Sequence, residues 1–296
     1  MDLQQAASIE PSPPGYRQAS VEYDEDLGIA VLNMHPHPRP CFTPALLLDI
    51  RRFQDEVSKR VRRDIASRGS SAIRYTVLAS GLKGSYSHGG DLALFAELIR
   101  RGQRDTLFQY AKACVDAAHG FAFEGGPPLT SIALVEGRAE GGGFEAALSC
   151  QVIIAEKGVH MGFPEVLFNL FPGMGAYSYL SRRVSPAIAE RLIYSGDIYS
   201  AEELYELGIV DHLAEPGEGR AALASFVRNS RRRQNARRLL GHVRRHYNAV
   251  PYEELLDITT LWVDAAMQLG ESELRIMNRL VRAQDRKQRP DARQAG

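Results

Sequence analysis

Three consecutive glycines at 141–143 constrain the fold of this chain more than any other feature. They follow a short run of β-forming residues at 131–135 and precede the sequence FEAALSC, which is rich in helix formers. The pattern predicts a strand, a glycine turn and the start of a helix. Glycine lets the backbone approach a ligand closely, and the first amides of a helix have no partner inside it. Such a turn is therefore a candidate site for an anion.

A second glycine turn and two glutamates extend this interpretation. The segment 77–95 reads as an apolar strand and a loop whose Gly89 and Gly90 precede a predicted helix. Two such turns could direct two backbone N–H groups at one oxygen atom. Glu145 lies just inside the helix after the first turn, and Glu165 follows 20 residues later between Gly and Pro residues. Two carboxylates beside amide donors indicate acid–base work on an oxyanion, although a glutamate in a first helical turn is often only a favourable partner of the helix dipole.

These motifs resemble those of the crotonase (enoyl-CoA hydratase/isomerase) superfamily. The matching strings are ASGLKGSYSHGGDL, VEGRAEGGGFEAALSC and GFPEVLFNLFPGMGAYSYL. Further strings, such as GGDLALF, ITTLWVDAAMQLGE and LRIMNRLVRAQDR, are similar to synthases of diffusible signal factor, which make the cis-2-unsaturated fatty acid signals of bacteria. The resemblance spans roughly residues 21–286.

The resemblance implies a fold and a set of site residues. The fold would be α/β, a crotonase-like spiral of repeated β-β-α units with a C-terminal helical region. The backbone N–H groups of Gly90 and Gly142 would form an oxyanion hole, and Glu145 and Glu165 would be the acid–base pair. The expected substrate-binding residues are Gly89, Gly141, Gly173, Met174 and Trp262. The chemistry requires neither a metal nor a cofactor, and the substrate would be a thioester on acyl carrier protein or coenzyme A.

The implied reaction is the dehydration of a medium-chain 3-hydroxyacyl thioester to a 2-enoyl thioester. Hydrolysis of that thioester would then release a cis-2-unsaturated fatty acid, a quorum-sensing signal. An ordinary enoyl-CoA hydratase/isomerase of fatty-acid metabolism would use the same residues, and we keep it as the alternative. A third possibility is an added docking role towards a sensor protein such as a sensor kinase. The resemblance also implies a homo-oligomer, either a trimer or a hexamer.

Two places depart from the pattern of the superfamily. Glu140 stands directly before the glycines, where we expect an apolar residue such as leucine in relatives. Its carboxylate could alter the acyl-chain preference, but we expect it to point to solvent, as glutamates usually do. The segment 41–43 replaces the usual Asn-Ala-Leu type of sequence in a loop that, in this superfamily, helps to hold the nucleotide end of coenzyme A. This change weakens any preference for coenzyme A over acyl carrier protein.

The pattern of breaks predicts four parts of the chain. We expect a flexible arm at 1–20, the spiral core at 21–200, a helical region at 201–286 and a disordered tail at 287–296. Trp262 lies on a predicted late helix, where it could close the acyl pocket or pack in the core. The densest charge is basic: Arg231, Arg232, Arg233, Arg237, Arg238, Arg244 and Arg245. A solvated helix face is the default interpretation of this run, and contact with an acidic carrier protein or phosphopantetheine is the alternative.

Composition excludes several classes of function. Lysine plus arginine equals aspartate plus glutamate, at 36 each, so no net field favours nucleic acid or an anionic membrane. No apolar run approaches the roughly 20 residues that span a bilayer. Three cysteines without ligand spacing indicate reduced thiols, and hence a cytoplasmic location. His35 and His37 have no third ligand at a suitable spacing, so we expect no metal site there.

Overall fold

The fold is built on two β-sheets. The computed structural model describes residues 15–122, 129–232 and 234–288. The larger sheet has six strands in the order β1-β2-β3-β5-β7-β10, and the smaller has four in the order β4-β6-β8-β9. The strands are β1 (Ala19–Asp24), β2 (Ile29–Met34), β3 (Tyr75–Ser80), β4 (Ser85–Ser87), β5 (Thr130–Val135), β6 (Arg138–Glu140), β7 (Val152–Glu156), β8 (His160–Gly162), β9 (Ile198–Ser200) and β10 (His212–Ala214).

Helices follow the strands and cover both sheets. The α-helices are α1 (Pro44–Arg68), α2 (Leu92–Arg100), α3 (Arg104–Ala122), α4 (Gly142–Ser149), α5 (Ala176–Leu180), α6 (Pro186–Ser195), α7 (Ala201–Glu206), α8 (Gly219–Arg231), α9 (Gln234–Tyr247), α10 (Tyr252–Ala266) and α11 (Glu271–Gln288). A 3-10 turn, Glu165–Phe168, lies between β8 and α5. Local signals set the ends of several helices: the Thr43 hydroxyl caps the start of α1, and Gly69 ends it in the left-handed conformation.

Three consecutive units give the chain its spiral path. The units are β3-β4-α2, β5-β6-α4 and β7-β8-α5, and in each the first strand joins the larger sheet and the second joins the smaller. Neighbouring strands from successive units are parallel, whereas β1–β2 and β8–β9 pair antiparallel. The prediction of a spiral of β-β-α units with a C-terminal helical region is confirmed.

Alternation along the strands divides the interior into two layers. In β2, Ala30, Leu32 and Met34 face the main core under the helices, whereas Ile29 and Val31 face the opposite side of the sheet, where α8 packs. This period of two is the normal geometry of a strand buried on both faces. Burying each large apolar side chain contributes roughly 1.5–3 kcal/mol, so both layers stabilise the sheet.

The predicted boundary of the N-terminal arm is wrong. The expected arm at 1–20 overlaps β1, which begins at Ala19. Just before the strand, the Gln18 backbone N–H donates to Oδ2 of Asp49 on α1 at 2.6 Å. This contact holds the segment on the fold before the first strand begins. Residues 1–14 lie outside the described part of the chain.

The predicted C-terminal parts also need adjustment. The region 201–286 contains β10, which extends the larger sheet beside β7, and α8, which covers the outer face of that sheet. The helix α11 continues to Gln288, past the expected start of the tail, and residues 289–296 lie outside the described part. Of the basic run, Arg231, Arg232 and Arg244 have exposed side chains. Arg233 and the side chains of Arg237, Arg238 and Arg245 lie outside the described part.

Within the three described ranges, no helix is both long enough and apolar enough to cross a membrane.

Candidate active site

The two glycine loops meet at their backbones. Gly89 has φ +82°, and a side-chain carbon on it would lie 2.5 Å from the amide nitrogen of Gly142. A similar carbon on Gly142 would lie 3.3 Å from the nitrogen of Gly90. Only glycine permits both the backbone conformation at 89 and this close approach. The fold therefore brings together the two amides that the sequence predicted for one oxyanion hole.

Local hydrogen bonds set the position of each loop. Phe42 N–H donates to the carbonyl oxygen of Gly89 at 2.7 Å, which attaches the first loop to the segment before α1. Gly141 N–H donates to the carbonyl oxygen of Gly162 at 2.8 Å, which attaches the second loop to β8. Gly142 is the first residue of α4, and helix-start amides have no partner within their helix.

Glu145 is a buried carboxylate with two backbone donors. It is 1% exposed, and its Oε1 accepts N–H groups from Met174 at 2.7 Å and Ala176 at 2.9 Å. Burial raises the pKa of Glu145 to about 7, while these two donors oppose the rise because they stabilise the charged form. The segment before α5 and the first residue of that helix therefore hold the carboxylate in a fixed orientation.

Glu165 is the first residue of the 3-10 turn and faces the second glycine loop. A side-chain carbon on Gly141, whose φ is +53°, would lie 2.4 Å from Oε1 of Glu165. The Oε2 atom is buried and has no hydrogen-bond partner among the described residues. Burial raises the pKa of Glu165 well above its usual range, and the negative charge of Glu145 adds to the rise. The two carboxyls therefore titrate as a pair.

Aromatic side chains form the apolar end of the site. A side-chain carbon on Gly173 would lie 2.4 Å from Cγ of Trp262, so the glycine lets the indole lie directly on the backbone. Trp262 is 5% exposed and packs edge-to-face on Phe95, with ring centroids 5.0 Å apart. Met174 is also buried, close to Gly142. These contacts come from α2, α10 and the segment before α5.

One cavity of about 250 Å³ joins the polar and apolar parts of the site. Its lining includes every predicted site residue except Gly89, which lies just behind Gly142: Gly90, Gly141, Gly142, Glu145, Glu165, Gly173, Met174 and Trp262. His88, in the first glycine loop, also lines it. The structure thus assembles residues from distant parts of the chain in one pocket.

The structure adds lining residues that the sequence did not reveal. Arg138 of β6 and Leu280 of α11 line the cavity, as do Phe95 and Cys114. Arg138 could have been identified from its spacing to Glu140, because residues two apart in a strand face the same side. Leu280 carried no such signal, since it lies on a helix whose partner is remote in sequence.

The expected position of Glu140 is wrong. Its side chain lines the cavity instead of extending into bulk solvent, and its Oε1 lies 2.5 Å from Nε of Arg138. The side chain is only 20% exposed. The reason is that β6 is an inner strand of the smaller sheet, between β4 and β8, and its end lies against the glycine loop.

Comparison with known proteins relates this chain to one family. A family model described as enoyl-CoA hydratase/isomerase matches residues 66–250. Crotonyl-CoA hydratase of Syntrophomonas wolfei subsp. wolfei is 28% identical over 205 residues, which cover 69% of this chain and 71% of that protein. Human enoyl-CoA hydratase domain-containing protein 2, mitochondrial, is 32% identical over 151 residues, which cover 51% of this chain and about half, 49%, of the relative.

Solved structures agree at the level of the fold. The crystal structure of enoyl-CoA hydratase from Bacillus halodurans matches with a TM-score of 0.73 and covers 89% of this chain and 100% of that one, at 16% sequence identity. The family model covers more than half of the 296 residues, and the spiral fold agrees with it. The chain belongs to the enoyl-CoA hydratase/isomerase family of the crotonase superfamily.

Proposed function

We propose that this protein interconverts 3-hydroxyacyl and 2-enoyl thioesters. The observation that supports the proposal most strongly is that Glu145 and Glu165 line one cavity with the amides of Gly90 and Gly142. In the dehydration direction, one glutamate takes the proton from C2 and the other protonates the departing 3-hydroxyl group, which leaves as water. The thioester oxygen lies between the two amides and accepts the enolate charge.

The reaction needs one proton on the glutamate pair. In the free enzyme Glu145 is the better carboxylate because two N–H groups stabilise its charge, and Glu165 is the better place for the proton. That state suits hydration, in which a base activates water and an acid protonates C2. Dehydration instead starts with the proton on Glu145. Either direction of the reaction therefore requires a glutamate pair that holds one proton.

The remaining predicted residues have supporting roles in this proposal. Gly89 and Gly141 leave room for the amide of Gly142 and the carboxyl of Glu165. Gly173, Met174 and Trp262 contact the acyl chain at the apolar end. No metal or cofactor is required, because the amides stabilise the enolate and the glutamates transfer the protons.

A finer proposal comes from the resemblance to synthases of diffusible signal factor. In this proposal the substrate is a medium-chain 3-hydroxyacyl thioester on acyl carrier protein or coenzyme A. After dehydration a glutamate-activated water attacks the carbonyl carbon, the C–S bond breaks, and the thiol leaves with a proton. The product is a free cis-2-unsaturated fatty acid. A homo-oligomer and docking on a sensor kinase belong to the same proposal.

An ordinary enoyl-CoA hydratase is the second candidate. The crotonyl-CoA hydratase named above favours it, because that relative aligns over 69% of this chain. The two candidates share the acid–base pair and the oxyanion hole. They differ in whether the thioester is hydrolysed and in the geometry of the double bond.

Product analysis by mass spectrometry separates the candidates. The purified protein is given a medium-chain 3-hydroxyacyl thioester on acyl carrier protein and, separately, on coenzyme A. A free cis-2-enoic acid supports the synthase proposal and identifies the preferred carrier. Reversible conversion to the trans-enoyl thioester alone supports the ordinary hydratase. If neither product forms on either carrier, the proposed interconversion is wrong.

A further inference from the structure

A third carboxylate adjoins the glutamate pair. Glu140 ends β6, and the next residue, Gly141, is the one against which Oε1 of Glu165 lies. Parallel pairing aligns Glu140 with Gly162 of β8, three residues before Glu165. Both carboxyls therefore leave neighbouring strands at the same end and line the same cavity.

Arg138 holds this third carboxylate in place. It lies two residues before Glu140 on the same face of β6, and its Nε is 2.5 Å from Oε1 of Glu140. The arginine side chain is 36% exposed and that of the glutamate 20%, so the pair lies at the wall between the cavity and solvent. The contact is an ion pair and not a hydrogen bond, because Nε of Arg138 has no hydrogen-bond partner among the described residues.

The cavity wall brings three carboxyl groups and one guanidinium group together. Fully ionised, the three glutamates carry three negative charges against the one positive charge of Arg138. Other titratable groups that face the pair are His88 in the first glycine loop, Cys114 on α3 and Tyr179 on α5. Burial raises the pKa of both the Cys114 thiol and the Tyr179 hydroxyl, which keeps them neutral. Like charges close together disfavour full ionisation.

We propose that the Arg138–Glu140 ion pair is a positioning element of the reaction: the Glu140 carboxylate retains the last proton on the Glu145–Glu165 pair, and Arg138 limits this effect. The inference rests on the proposed function, which needs that proton in either direction. Burial and then the charge of Glu145 raise the pKa of Glu165 most, and the charge of Glu140 adds a smaller contribution in the same direction. Glu140 is a positioning residue, since Glu145 and Glu165 perform the proton transfers.

The test compares two substitutions with opposite expected effects. A plot of kcat/KM against pH for an enoyl thioester should be bell-shaped. The decrease on its alkaline side, the alkaline limb, reports loss of the last proton from the Glu145–Glu165 pair. Glu140→Gln should move this limb to lower pH by about one unit, a shift of the size that protein environments commonly produce. Arg138→Gln leaves the Glu140 charge uncompensated and should move the limb to higher pH by a similar amount.

Matched variants separate charge from structure. Glu140→Asp keeps the charge and should restore most of the wild-type profile. Glu215→Gln removes an equal charge from an ion pair with Lys157 on the surface, and it should leave the limb unchanged. If Glu140→Gln and Arg138→Gln move the limb in the same direction, or neither moves it, the proposal is wrong.

A second readout does not depend on turnover. Side-chain ¹³C NMR of the protein labelled at glutamate carboxyls follows the titration of the pair, with Glu165→Gln providing the assignment. Glu140→Gln should lower the upper titration step by the same amount as the kinetic limb. An unshifted step in a protein that turns over thioesters refutes the role of Glu140. A shifted step in a protein without thioester turnover supports the role in proton retention and refutes the proposed function instead.

Discussion

The two buried glutamates differ in the contacts of their oxygen atoms, and this difference makes a conservative test possible. Oε1 of Glu145 accepts two backbone N–H groups, which a glutamine carbonyl can also accept. Glu145→Gln and Glu165→Gln should therefore keep the fold but lower thioester turnover by about 10²–10⁴-fold, the usual contribution of a general acid or base. Turnover and thermal unfolding of both variants check this. Near-native turnover in either would contradict the shared-pair mechanism.

The same burial predicts how stability depends on pH. The pKa of Glu145 is raised from an ordinary value of 4.5 to about 7, so the folded state binds its proton more tightly than the unfolded chain. The stability that the fold gains from binding this proton is fully present below pH 4.5 and is lost as the pH rises through 7. The lost stability is about 3 kcal/mol, at 1.36 kcal/mol per unit.

Urea unfolding at pH 5 and pH 8 measures this effect. The decrease in the free energy of unfolding between these two pH values should be smaller in Glu145→Gln than in the wild type by about 2–3 kcal/mol, since part of the effect is already lost at pH 5. The comparison cancels the titratable groups that lie away from the glutamate pair. An equal decrease in the two proteins would show that Glu145 does not carry the raised pKa.

At the scale of elements, the first glycine loop offers a matched pair of glycines. Gly89 and Gly84 both have positive φ, +82° and +73°, so alanine strains both by about 1–3 kcal/mol. A side-chain carbon at 84 meets nothing within 4 Å, whereas one at 89 would lie 2.5 Å from the Gly142 nitrogen. Gly89→Ala should therefore lower kcat by at least about 10²-fold, as losing an oxyanion donor does. Gly84→Ala should keep its activity.

Steady-state kinetics and melting temperatures of the two variants decide the outcome. Equal losses of activity would mean that backbone strain, and not the approach of the two loops, controls the site. A selective loss in Gly89→Ala would support the placement of the Gly90 and Gly142 amides in one oxyanion hole.

The sequence was informative where the chemistry depends on local backbone, and less so where it depends on distant contacts. The glycine runs before α2 and α4 predicted both loops because only glycine tolerates those conformations. Glu140 was misplaced because exposure of glutamate is a statistical preference, and a strand of the smaller sheet overrides it here. Gln18 was assigned to a loose arm because its partner, Asp49, is 31 residues away.

At the scale of the whole molecule, the C-terminal region completes the core and the cavity. The strand β10 extends the larger sheet, and α8 covers the Ile29 and Val31 face of that sheet. Trp262 on α10 and Leu280 on α11 close the apolar end of the cavity that β6 and α4 line at the other end. The boundary predicted at residue 200 therefore separates parts that share one interior.

This closure predicts that Trp262 limits the length of the acyl chain. The cavity has a volume of about 250 Å³, and the indole lies between Gly173 and Phe95 at its apolar end. Trp262→Phe keeps an aromatic ring beside Phe95 while removing volume, so the preferred substrate should become longer by a few carbons. Trp262→Ala should extend this shift but lower stability by about 3–5 kcal/mol, because it leaves a larger void. The ratio of kcat/KM values for a series of thioesters of increasing length measures the preference.

Phe226→Leu, which alters the layer under α8, is the control, since this layer lies across the larger sheet from the cavity. An unchanged ratio in both Trp262 variants would mean that the acyl chain does not reach the indole, and that α10 contributes packing without setting the substrate.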